Sequence, residues 1–117
     1  MNPQIQHLTA QTFDAAVADG LTVIDFWASW CAPCRAMAPQ FERAAALRPD
    51  YRFAKVDVDA EPALAQRFGI SSIPTLMVLR AGEPIAAQAG IVGADALVEA
   101  LDRLASTAVA DAVSEAA

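Results

Sequence analysis

Leu21–Cys34, LTVIDFWASWCAPC, joins a run of β-branched and aromatic residues to two cysteines separated by two positions. The part from Leu21 to Ala28 has the composition of a strand covered on both faces, which places it at the centre of a sheet. From Trp30 to Leu47 the pattern is helical: Met37, Phe41, Ala44 and Ala45 recur on one side, and Arg48-Pro49-Asp50 ends the run. Cys31 and Cys34 therefore stand where a central strand hands the chain to a helix.

That placement has chemical consequences. At a helix N-terminus the free N–H groups and the positive end of the macrodipole favour a thiolate, so the pKa of Cys31 should fall towards neutrality. An i, i+3 spacing puts both sulfurs on one face, with Cβ atoms ~5–6 Å apart, near enough to close a disulfide after small adjustment. Pro33 falls in the first turn, where its missing N–H costs nothing and its ring stiffens the loop. Competing readings are a buried pair with no chemistry and a zinc site, but zinc normally takes four ligands. Two cysteines and the distant His7 do not supply them, so no metal is expected.

Outward from this segment the chain reads as further short elements. Ile5–Leu8 is an edge strand, and Thr9 or Thr12 caps a brief helix reaching Ala18. Tyr51–Val58 is a strand, followed by a helix capped by Asp59 and closed by Gly69. Thr75–Arg80 and Ile85–Ala89 form a hairpin across Ala81–Pro84. A last helix from Gly93 aligns Leu97, Leu101, Leu104 and Ala108. The order β-α-β-α-β-α-β-β-α predicts one α/β domain over residues 1–106, its sheet parallel in the middle and antiparallel in the hairpin. Residues 107–117 are an Ala-rich tail that extends the last helix or frays.

The composition fits this plan. The chain has 117 residues, 56% of them hydrophobic, yet 28 are alanine, so the core rests on fewer large side chains than that fraction suggests. A net charge of −6 is the wrong sign for a nucleic-acid or anionic-membrane partner. The first twenty residues contain no Lys or Arg and no apolar stretch of signal-peptide length, and no segment is long enough for a membrane span. A cytoplasmic protein is expected.

Two further positions are unusual. Asp25 interrupts the central strand, where an isolated carboxylate is costly to ionise, so its pKa should be raised unless a cation is near. Lys55, the sole lysine, lies in the apolar stretch FAKV of the neighbouring strand. An Asp25–Lys55 pair beneath the cysteines is the expected arrangement, either as a structural ion pair or as part of the chemistry. Pro74 opens a strand, where a cis Ile73–Pro74 bond would account for it. Pro39 lies inside the long helix and removes a backbone hydrogen bond there.

Together the segments VIDFWASWCAPC, AMAPQF, FAKVDVD and RFGISSIPTLMVLRAGE, with Gly90 after the last strand, resemble the thioredoxin family over roughly residues 5–106. The resemblance implies a mixed sheet of about five strands flanked by about four helices. It also implies a protein-disulfide reductase in which Cys31 attacks, Cys34 resolves, Asp25 is the buried acid–base and Lys55 its partner. Trp30, Ala32, Pro33, Ile73, Pro74, Ala89 and Gly90 would form the apolar docking surface. No bound cofactor is implied beyond the Cys31–Cys34 disulfide itself, and NADPH would act indirectly, through thioredoxin reductase. Disulfide-containing proteins would be the substrates, met by a monomer.

The departures from the family pattern are Ala32-Pro33 where Gly-Pro is commonest and Ser71-Ser72 where Arg-Gly is frequent. No histidine lies between the cysteines, which favours a reductant over an oxidase or isomerase. A binding or chaperone module using the same apolar patch without redox turnover is the alternative from another class.

Overall fold

The computed structural model describes residues 4–116, with side chains described as far as Ser106. Five strands, β1 (Ile5–His7), β2 (Leu21–Trp27), β3 (Arg52–Asp57), β4 (Thr75–Arg80) and β5 (Glu83–Ala89), form one sheet in the order β1-β3-β2-β4-β5. Four helices, α1 (Phe13–Ala16), α2 (Ala32–Leu47), α3 (Pro62–Arg67) and α4 (Ala94–Ala116), flank it.

The β-branched run from Leu21 takes the middle position, and five successive residues from Thr22 to Phe26 are buried. Because strand side chains alternate, Val23 and Ile24 feed separate cores on the two faces. One core gathers Met37, Phe41, Ala44 and Ala45 of α2 with Leu97, Val98 and Leu101 of α4. The other holds Phe13 and Val17 beside α1, with Leu64 of α3. Gln40 Oε1 accepts the Ala94 N–H at the start of α4, while Asp102 receives both Arg48 and the Tyr51 hydroxyl, fastening α4 to the end of α2.

Several boundaries differ from expectation. The parallel pairs β1–β3 and β3–β2 fill one side of the sheet, and the change to antiparallel falls between β2 and β4, not at the hairpin. The hairpin is tighter than expected, with Ala81 and Gly82 both at positive φ as a two-residue turn requires. β5 accordingly begins at Glu83 and accommodates Pro84, because an edge strand can spare the missing donor. Asp59 does not cap α3; that place belongs to Glu61. α2 starts at Ala32, with Cys31 as its N-cap. Backbone helix continues to Ala116, while Ala108 and the rest of 107–117 lie outside the residues whose side chains are described. Among the described residues no helix is long and apolar enough to cross a membrane.

Candidate active site

Cys31 is the extended residue between β2 and α2, and its sulfur accepts the backbone N–H of Cys34 at 3.1 Å. The sulfur is thus the N-cap acceptor of α2, the position at which a negative charge is best stabilised. The two Cα atoms are 5.2 Å apart and the cysteines are joined as a disulfide. Both are nearly covered, at 4% and 2% exposed, with Ala28, Trp27, Val58 and Ile73 packed around them. The carbonyl of Ile73 approaches Cys31 Sγ to 3.8 Å.

Ile73 arrives here because β4 runs antiparallel to β2, so its first residues meet the end of β2 that delivers the cysteines. The Ile73–Pro74 bond is cis. Gly90, at φ +91°, donates its N–H to the Pro74 carbonyl, a conformation that a side chain would strain.

Asp25 is fully buried on β2, and burial pushes its carboxyl up to about 6 against the pull of Lys55. Lys55 is its register partner on β3, as expected. A direct ion pair is not formed: neither Asp25 oxygen has a hydrogen-bond partner, and the Lys55 ammonium lies over the Trp27 ring, 4.6 Å from its centroid.

The apolar surface expected around the pair is only partly as drawn. Trp30 is 66% exposed, Ala32, Pro33, Ala89 and Gly90 are exposed, and Ile73 is half-buried, but Pro74 is buried beneath the surface. Ile91, directly after Gly90, is a large apolar side chain 54% exposed and was not among the residues expected there. Trp30 is held by its indole N–H, which donates to Asp59 at 2.7 Å. A groove of about 190 Å³ is lined by Trp30, Val58 and Ile70–Ile73.

A family model for thioredoxin matches residues 4–103. A Streptomyces coelicolor protein named "Putative thioredoxin 2" is 48% identical over 95 residues, covering 80% of this chain and 71% of that one. Thioredoxins of Staphylococcus aureus and Chlamydia muridarum are 39% and 36% identical, each over 85% of this chain and over 96% and 97% of their own. The chain belongs to the thioredoxin family. It is a thiol–disulfide oxidoreductase built on a thioredoxin domain, with Cys31–Cys34 as its redox disulfide. Among the described residues no cluster of His, Cys, Asp and Glu could hold a metal ion.

Proposed function

We propose that this thioredoxin reduces protein disulfides through two exchanges in which Cys31 attacks and Cys34 resolves. The Cys31 thiolate attacks one sulfur of a substrate disulfide; a mixed disulfide forms and one substrate thiolate leaves. Asp25, through a water, takes the proton from Cys34, whose thiolate attacks Cys31 Sγ and expels the second substrate thiolate. Two electrons pass to the substrate and the Cys31–Cys34 disulfide remains. Lys55 acts on Asp25 through its field, while Trp30, Ala32, Pro33, Ile73, Ala89 and Gly90 receive the substrate chain, with Pro74 shaping the loop below.

The observation that carries this assignment is the Cys34 N–H directed at Cys31 Sγ, which makes Cys31 the better-stabilised thiolate. Regeneration falls to a flavin-dependent thioredoxin reductase drawing on NADPH, so the protein serves electron transport in redox homeostasis. A reducing compartment such as the cytoplasm suits a pair that must return to the dithiol, and a monomer leaves the apolar surface open to substrates. The test is insulin-disulfide reduction with reductase and NADPH. Cys31→Ser abolishes turnover if the assignment holds, whereas full turnover in that variant overturns it. Cellular function retained by Cys31→Ser would favour the binding-module alternative.

A further inference from the structure

Trp27 takes no part in the proposed exchange steps or docking, yet it touches both the redox pair and Lys55, the cation whose charge acts on the buried acid. Its ring packs against the cluster of Ala28, Cys31 and Cys34. It stands two residues after Asp25 on β2, so the two side chains share a face of the sheet, and Lys55, the register partner of Asp25, shares it too. That register favours closure of an Asp25–Lys55 ion pair. The ammonium instead sits 4.6 Å from the Trp27 ring centroid, where the quadrupole of the indole attracts it, and the Asp25 oxygens have no hydrogen-bond partner.

We propose that Trp27 is a positioning residue whose indole face holds the Lys55 ammonium and keeps it from closing onto Asp25, leaving that carboxyl able to take up and release a proton. The proposal rests on the acid–base reading of Asp25 given above.

The surroundings leave Lys55 as the group through which this control runs. From β4 the register partner of Asp25 is Leu76. The buried positions of α2 are Cys34, Met37, Phe41, Ala44 and Ala45, and those of α4 are Ala94, Leu97, Val98 and Leu101. Beyond Lys55 lies its other register partner, the exposed His7 of β1. Asp57, the partner of Trp27 on β3, has its Oδ1 engaged by the N–H groups of Asp59 and Ala60.

The test is the titration of the Asp25 carboxyl, followed by carbon NMR on aspartate-labelled oxidised protein. In Trp27→Leu the freed ammonium closes on Asp25 and the midpoint falls by about one pH unit, as a carboxyl does beside a contacting cation. In a Lys55→Gln background the same substitution leaves the midpoint where Lys55→Gln alone puts it. A fall that persists without Lys55, a rise, or no change overturns the proposal. The unaltered protein supplies a second measurement that needs no variant to fold. Because Lys55 is the only lysine, labelled lysine gives one side-chain signal, expected upfield under the Trp27 ring current; a signal at the free-lysine position overturns the proposal. Neither readout depends on turnover. Failure of the acid–base reading, seen as an unchanged pH–rate profile in Asp25→Asn, is therefore distinct from failure of the Trp27 assignment.

Discussion

Replacing Asp25 by Asn should stabilise the folded protein, and by an amount that depends on pH in a defined direction. The carboxyl moves from 3.8 to about 6 on folding because burial penalises its charged form. At 1.36 kcal/mol for each pH unit, ionising it in the native state costs about 3 kcal/mol. The native state binds more protons than the unfolded chain between those two values, so this group makes stability fall as pH rises through the window. Asn is neutral throughout, and its buried amide resembles the protonated acid in polarity. The variant's advantage is thus near zero below pH 3.8 and reaches about 3 kcal/mol at neutral pH, or roughly 10 °C in Tm for a domain of this size. The assay is guanidinium unfolding of both proteins with the disulfide closed, from acid to slightly alkaline pH. A stability difference that stays flat across that range, or an Asn variant less stable at neutral pH, refutes the argument.

Other expectations concern chemistry, docking and packing. Cys34→Ser should accumulate the mixed disulfide between Cys31 and substrate, detectable as a mass adduct that a small thiol releases. Ile91→Ser should raise KM for protein disulfides severalfold while leaving the reduction of a small aromatic disulfide nearly unchanged, because Ile91 is 54% exposed and directly follows Gly90 of the proposed docking surface. Phe41→Ala removes a fully buried ring stacked edge-on against Phe53 and should cost about 3–5 kcal/mol in denaturant unfolding. Arg48→Ala should lower Tm more at neutral pH than below the titration of Asp102, since the arginine and Tyr51 hold that carboxyl well below the usual range.

The fold was legible where residue type and period agree. Leu21–Ala28 is β-branched or aromatic at five of its eight positions and apolar on both alternating faces, which fixes the strand at the centre; the helical spacing of Met37, Phe41 and Ala44 fixes the face of α2. Asp25 and Lys55 were legible as charges placed where apolar residues belong, and the register confirms their adjacency. The destination of the Lys55 ammonium was not legible, because a four-carbon stem reaches several partners and the choice between a carboxylate and an indole face is made by packing. The same applies to Asp59. Its type and position suit a helix cap, yet its carboxylate accepts the indole N–H of Trp30, which follows the end of the neighbouring strand β2. Pro74 was placed on the docking surface by the family resemblance, but it is buried just before β4 begins.

The reversal of direction between β2 and β4 divides the molecule into a working end and an idle one. The redox disulfide lies at the end where β2 and β3 finish and β4 begins. The far end carries Gly20, Asp50 and the Ala81–Gly82 turn, with Leu21 and Arg80 in register. The seven residues of β2 separate the two ends by roughly 20 Å. A fluorescent reporter, affinity tag or second domain spliced into the Ala81–Gly82 turn would project away from the cysteines. The protein can therefore be tethered to a surface or a partner enzyme by that turn with the end that carries its redox pair left unobstructed.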